Sequence, residues 1–242
     1  MTVYRQALSS LIKVHAREFL KPSMNTPPSR KIRVLIDMDG VIANFEKHLM
    51  DIYKKDYPDL PILPGDQRRG LFIDKQYRKE FGHDACLAMQ DIMTRQNFFK
   101  DLEPIPEAVH AVNQLLKSPL YDCSICTAPI THNKYCTSEK MEWIKTHFGS
   151  KFHRKVIITN DKTVVHGDFL LDDNEVIAGA MEPSFKHVMV RAQHNQAVKE
   201  GEKEIILEDW NELEEILFEH APADLIRDDE LTFNYAAMVA LA

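Results

Sequence analysis

In KIRVLIDMDGVIANF, residues Lys31 to Phe45, an apolar run delivers two aspartates, Asp37 and Asp39, one residue apart and followed at once by a glycine. Ile32, Val34, Leu35 and Ile36 are the β-branched and apolar residues of a strand buried on both faces. Such a strand should not run into two carboxylates unless something cationic receives them, so the segment reads as the active-site end of a strand with a metal ion beyond it. At strand spacing the two aspartates point to one face, and Gly40 marks where the chain is already turning.

Working outward, four further short apolar runs read as strands, at residues 121–127, 156–159, 169–172 and 187–192. Between them PEAVHAVNQLLK (106–117) opens with proline and spaces Ala108, Val112 and Leu115 helically. TSEKMEWIKTHF (137–148) starts on a capping threonine and carries Met141, Ile144 and Phe148 as its expected apolar face. Strands alternating with helices of this length predict an α/β fold, a three-layer Rossmann-like parallel sheet covered on both faces. Ligands of such folds bind beyond the carboxyl ends of the strands. There the polar residues line up: Asp37 and Asp39 after the first strand, Thr127 after the second, and the pair Asp172–Asp173 after the fourth. Residues 46–103, rich in aromatic and charged side chains, interrupt the alternation and read as a small helical cap inserted after the first strand. Residues 31–45 and 104–220 are then the core.

A chain of 242 residues with 44% hydrophobic content holds enough apolar material for one large domain or a core with an inserted lobe. Its net charge of −7 is unevenly spread: residues 1–31 carry Arg5, Lys13, Arg17, Lys21, Arg30 and Lys31 against Glu18 alone, so the rest stands at −12. An acidic body argues against a nucleic acid polymer as partner, while one nucleotide can still enter a locally positive pocket. The Cys123–Cys126 spacing has no second CxxC behind it and lies in an expected strand, so the four cysteines read as small hydrophobes in a reducing compartment. No apolar stretch reaches the ~18 residues of a membrane span, and no stable membrane insertion is expected.

Residues 4–21, wound as a helix, put Arg5, Lys13, Arg17 and Lys21 on one side and Tyr4, Leu8, Leu11, Ile12 and Phe19 on the other. This basic amphipathic segment, residues 1–30 with its polar trailer, reads either as a mitochondrial transit peptide or as a helix that docks on the body or a membrane surface. The expected location is accordingly the mitochondrial matrix or the cytoplasm. The C-terminal tail, 221–242, turns acidic and then ends in LTFNYAAMVALA, which reads as a docking helix, a homodimer contact or a frayed end.

The ordered series of DxDG, a strand-ending threonine, a downstream lysine and a closing acidic pair resembles the haloacid dehalogenase superfamily of phosphatases. Within it the chain is similar to the 5'(3')-deoxyribonucleotidase family, most of all its mitochondrial form. The segments that carry the likeness are DMDGVIANF (37–45), DQRRGLF (66–72), NFFKDLEPIPEAV (97–109), ICTAPI (125–130), KYCTSEK (134–140), DKTVVHGDFLLDDN (161–174) and AQHNQ (192–196). The chemistry fits on its own terms: a carboxylate attacks phosphorus when a divalent cation and nearby donors neutralise the phosphate. Asp37 is the candidate nucleophile, and Asp39 the group that protonates the departing oxygen and then activates water. The expected ion is magnesium, because every candidate ligand is a hard oxygen.

The resemblance implies that Asp37 and Asp173 bind the metal through carboxylates and Asp39 through its backbone carbonyl, with Asp172 orienting the site. It implies that Thr127 and Ala128 meet the phosphoryl group and that Lys140 cancels charge on the phosphate and on Asp37, Lys162 being the competing candidate. Phe45, Leu71, Phe72, Met93 and Ile130 would line the base pocket, and the partner would be a small nucleoside monophosphate of the dUMP or dTMP type. His194 reads as structural. At Leu71, Phe72 and Met93 the mitochondrial relative carries larger aromatic residues, Ala128 replaces a usual serine, and Asn174 stands where a basic residue occurs. Two alternatives therefore stay open: a haloacid dehalogenase phosphatase for another small phosphate ester, or a catalytically silent phosphate-binding relative.

Overall fold

The computed structural model describes residues 30–199, 201, 203–222 and 225; the helix expected over 4–21 and the apolar segment 231–242 lie outside them. Six strands form one sheet: β1 (Ile32–Ile36), β2 (Tyr121–Thr127), β3 (Val156–Ile158), β4 (Phe169–Asp172), β5 (Lys186–Val190) and β6 (Ile205–Leu207), in the order β3-β2-β1-β4-β5-β6. β1 runs parallel to β4 with Val34 opposite Phe169 and Ile36 opposite Leu171, and β2 runs parallel to β3 with Thr127 opposite Ile158. From β3 the chain returns to the middle of the sheet to lay β4 beside β1. This reversal of strand order opens a crevice between the ends of those two strands, and Asp37 and Asp172 stand at it.

The central strands carry the run of buried apolar side chains that a sheet covered on both faces requires. Val34, Ile36, Phe169, Leu170 and Leu171 have no exposed surface. Leu35, Cys126, Leu170 and Phe185 pack as one cluster, and all four cysteines are buried free thiols. Expected strands 121–127 and 169–172 occur with those bounds; 156–159 ends one residue early, and 187–192 is shifted to Lys186–Val190.

Three helices, α1 (Phe45–Asp56), α2 (Ile73–Phe81) and α3 (His83–Thr94), fill the insertion after β1, which contains no strand. Gly82, at φ +93°, ends α2 and starts α3 in a single residue, a conformation open to glycine. Helix α4 (Pro106–Lys117) buries Ala108, Val112 and Leu115, the face its spacing predicts. Helix α5 (Cys136–Phe148) departs from expectation: it buries Glu139, Lys140, Trp143 and Ile144, while Met141 and Phe148 are only half-buried. Two charged residues face inward there because each is satisfied. The Glu139 carboxylate accepts the backbone N–H groups of Asn97, at 2.5 Å, and Phe99, at 3.1 Å, where the insertion rejoins the core. Asn97 is the one non-glycine residue described with positive φ, at +70°. Helix α6 (Leu213–Glu219) follows β6. Among the described residues no helix is long and apolar enough to cross a membrane.

Candidate active site

The backbone of Asp37 still belongs to the sheet, its N–H donating to Leu171 O at 2.9 Å. Then the chain coils: the N–H groups of Ile42 and Ala43 both donate to Met38 O, at 3.0 and 2.9 Å. Met38, pointing opposite to its two aspartate neighbours, is fully buried. Gly40 sits at φ +76°, and a Cβ there would overlap the Asp173 carboxylate. A glycine is required on both counts, since only its absent side chain lets the first loop close against the fourth strand.

Two lysines divide the aspartates between them. Lys140, with no exposed side-chain surface, spends its three donors on Asp39 Oδ2 at 2.7 Å, Thr127 Oγ1 at 2.9 Å and Ala128 O at 2.7 Å. Lys162, in a single helical turn after β3, hydrogen-bonds Asp172 Oδ2 at 2.5 Å and lies 2.9 Å from Asp37 Oδ1. The expectation that Lys140 meets the charge of Asp37 is therefore corrected: the ammonium in contact with Asp37 belongs to Lys162, and that of Lys140 is held on Asp39. The side chain of α5 reaches across to the second loop carboxylate, while the turn at Asp161–Thr163, fixed by Thr163 N–H donating to Asp161 Oδ1 at 2.9 Å, aims Lys162 at the first.

Asp37, Asp172 and Asp173 bring one carboxylate oxygen each to within 4.8 Å of one another, all three residues being buried. Burial raises the Asp173 carboxyl well above its ordinary range, with the charges of Asp172 and Asp37 adding to it. Asp172 is raised by burial and by Asp37, against the pull of Lys162. Burial also raises Asp39, opposed by Lys140 and reinforced by Asp37. Burial alone would lower the Lys162 ammonium, but the carboxylates of Asp37 and Asp172 outweigh it and raise it. One lysine on three crowded carboxylates leaves net negative charge: Asp37 Oδ1 has only the Lys162 ammonium, at 2.9 Å, and Asp39 Oδ1 is buried with no hydrogen-bond partner. Hard oxygen donors and excess buried negative charge together fit a hard divalent cation.

Behind the cluster, the Asp173 carbonyl faces His194 Nε2 and Asn195 Nδ2, each at 2.9 Å. His194 is 4% exposed and burial lowers its pKa, so near neutral pH Nε2–H is the donor to that carbonyl. The structural reading of His194 missed its position directly behind a candidate ligand.

In front lies a cleft of roughly 1650 Å³. Asp37, Asp39, Thr127, Ala128, Ile130, Phe45, Leu71, Phe72 and Met93 all line it together with Lys162, Asp172 and Asp173; Lys140 does not. Phe45 stands edge-on to Phe98, ring centres 5.5 Å apart, on the core side. Phe72 is 57% exposed and carries the Lys75 ammonium 3.8 Å from its ring centre. Buried Arg68 organises the loop before it, donating to Leu71 O and Gln76 Oε1 at 3.0 Å and to Glu46 Oε1 at 3.1 Å. An arginine enclosed by its own loop leaves no pattern in the sequence.

A six-stranded parallel sheet with carboxylates at the ends of β1 and β4, a buried threonine at the end of β2 and a lysine on each carboxylate group defines a hydrolase of the haloacid dehalogenase type. The fold agrees: a haloacid dehalogenase-like family hydrolase from Streptococcus pneumoniae superposes with a TM-score of 0.55 at 13% identity, over 76% of this chain and 97% of that one. Residues 30–221 match the family model described as "5' nucleotidase, deoxy (Pyrimidine), cytosolic type C protein". The human mitochondrial 5'(3')-deoxyribonucleotidase is 41% identical over 69% of this chain and 73% of its own, and the human cytosolic type 39% identical over 69% and 84%. The chain belongs to the 5'(3')-deoxyribonucleotidase family and is, with it, a phosphoric monoester hydrolase.

Proposed function

We propose that this chain is a magnesium-dependent 5'(3')-deoxyribonucleotidase that releases phosphate from deoxyribonucleoside monophosphates, of the dUMP and dTMP type by preference, through an aspartyl-phosphate on Asp37. The observation that carries it is the convergence of Asp37, Asp172 and Asp173, one carboxylate oxygen each within 4.8 Å of the others, on a cleft that Asp39 and Thr127 also line. A nucleophile and an acid side by side at one cleft, each with a lysine behind it, are the arrangement that a phosphate ester completes.

Asp37 and Asp173 would hold the ion through carboxylates and Asp39 through its carbonyl, with Asp172, fixed by Lys162, orienting the group. When bound, the ion would supply charge neutralisation at the phosphoryl oxygens. Lys162 holds Asp37 in place by its 2.9 Å contact, and Thr127, itself held by Lys140, presents its hydroxyl to a phosphoryl oxygen. Asp37 attacks phosphorus; Asp39, whose protonated form burial favours, passes its proton to the departing nucleoside oxygen. The same carboxylate, now ionised, takes a proton from water as it attacks the phospho-aspartate. Phe45, Ile130, Leu71, Phe72 and Met93 would surround the base, and residues 46–103 would act as the cap that excludes bulk water. Mitochondrial matrix and cytoplasm remain the proposed locations.

The exposed Phe72 and the unringed walls at Leu71 and Met93 favour one second reading, a haloacid dehalogenase phosphatase acting on another small phosphate ester. Phosphate release from a panel of deoxyribonucleotides, ribonucleotides and sugar phosphates with magnesium separates the two. Turnover of dUMP or dTMP, abolished in Asp37→Asn, is the expected result; activity confined to sugar phosphates overturns the leading assignment. No turnover of any phosphomonoester would mark a silent relative.

A further inference from the structure

The segment Gln193–Asn195 has no part in the steps above, yet it touches both the acidic cluster and the inserted helices. His194 Nε2 and Asn195 Nδ2 converge on one carbonyl, that of Asp173, at 2.9 Å each. Asn195, fully buried, is fixed in turn by donating to Val190 O at 2.9 Å and accepting from Ala192 N at 2.9 Å. On its other side His194 offers its own carbonyl to the N–H of Gly70, at 3.3 Å. Gly65, in the same loop of the insertion, lies so close that a Cβ there would overlap the Gln193 amide. That loop is shaped by Arg68, whose guanidinium donates to the carbonyls of Arg69, Gly70 and Leu71. It leads directly into Leu71 and Phe72 at the cleft.

His194 is thus bonded by its backbone to the insertion and by its side chain to the residue that supplies one of three crowded carboxylates. Two side-chain donors on one backbone carbonyl fix the peptide after Asp173 and so the direction of its carboxylate. His194 Nε2 does not bond the carboxylate itself, standing 3.9 Å from Oδ2, beyond hydrogen-bond reach, and Gly40 gives that carboxylate room.

We propose that His194 and Asn195 are positioning residues that orient Asp173 toward the metal ion, and that through Gly70 they make this orientation depend on how the 65–72 loop of the insertion is seated. The inference rests on the metal-binding part of the proposed function. A group that orients a ligand from behind alters ion affinity about 10- to 100-fold when removed. Coupling through a packed loop is smaller.

The test is the magnesium dissociation constant of the full-length protein by titration calorimetry, without substrate. His194→Phe keeps the ring volume and loses the donor, and should weaken binding about tenfold or more. His194→Gln, which keeps a side-chain N–H, should recover most of the affinity; packing alone would not distinguish the two in this order. Arg68→Met, at a side chain bonded to Glu46 and its own loop, should weaken binding by about three- to tenfold. If that variant does not fold, Gln76→Leu serves, since it removes the bonds that Gln76 makes with Gln67, Arg68 and Arg69 from a partly exposed helix face. Unchanged affinity in His194→Phe, or no recovery in His194→Gln, overturns the positioning role. An effect at His194 with none at the loop variants overturns the coupling. Failure of the unaltered protein to bind magnesium would instead overturn the metal reading on which the inference rests.

Discussion

Replacing Lys140 by methionine keeps the stem of the side chain and removes its charge and three hydrogen bonds at once. The ammonium is fully enclosed and 2.7 Å from Asp39 Oδ2, whose side chain is 24% exposed. At that separation the gross attraction is about 6 kcal/mol for an effective dielectric constant near 20. Most of it offsets the cost of taking both charges out of water, so the pair is worth far less net than it costs to break. In Lys140→Met, Asp39 is left without its counter-ion and Thr127 Oγ1 and Ala128 O lose a donor, for an expected loss of about 3–5 kcal/mol at pH 7. Urea unfolding without metal measures it as a lower midpoint at unchanged slope. Adding Asp39→Asn to the variant removes the orphaned charge and should restore more than half of the loss, and lowering the pH should restore part by protonating Asp39, whose pKa is already raised. A Lys140→Met protein within about 1 kcal/mol of the parent, or one that Asp39→Asn does not rescue, would refute the account of a buried, mutually dependent pair.

Magnesium at about 100 times its dissociation constant should stabilise the fold by about 2.7 kcal/mol in thermal or urea unfolding, and Asp173→Asn should abolish the gain. Because the Asp173 carboxyl is raised, an incoming cation displaces a proton, so the ion should bind more tightly as pH rises, read by calorimetry in buffers of different ionisation enthalpy. His187 is pushed down to about 4 by burial, against the Asp172 carbonyl. On acidification the unfolded chain therefore takes up the proton first, and stability from this group, complete above pH ~6.5, is lost as pH falls toward 4, by up to about 3 kcal/mol. The difference in unfolding free energy between parent and His187→Gln should follow that course, and a flat difference would contradict it. Met93→Trp, which adds a ring to the cleft wall, should lower KM for dTMP at least about fivefold with kcat little changed, the stacking of one base being worth about 1–3 kcal/mol.

What the sequence made legible follows from how locally each feature is encoded. β1, β2 and β4 are apolar runs bounded by polar residues, and their ends fixed the positions of Asp37, Thr127 and Asp172 before any contact was known. β6, Ile205–Leu207, is three residues long and too short for a period to show, so it and the helix after it went unread. The inward face of α5 was misjudged because Glu139 and Lys140 look like solvent residues; only partners distant in sequence, Asn97 and Phe99 for one and Asp39 for the other, explain their burial. The difference in partners between Lys140 and Lys162 has the same origin: both follow strands that end at the site, and which ammonium reaches which carboxylate is decided by the sheet order. Arg68 and Asn195 bind mainly backbone carbonyls, and such partners are invisible to any pattern of residue types.

The adjacent pair Glu139–Lys140 has a bearing on how this architecture diversifies. One helix turn grips the exit of the insertion through two amides and, on the next residue, the carboxylate of Asp39. A replacement insertion of any length or shape therefore has to leave by the same narrow passage, with a residue tolerant of the left-handed conformation at position 97 and a free amide at position 99. Recombination that trades the insertion for another while ignoring this junction would disturb Asp39 from the far side, so the transplantable unit is the insertion together with its docking helix.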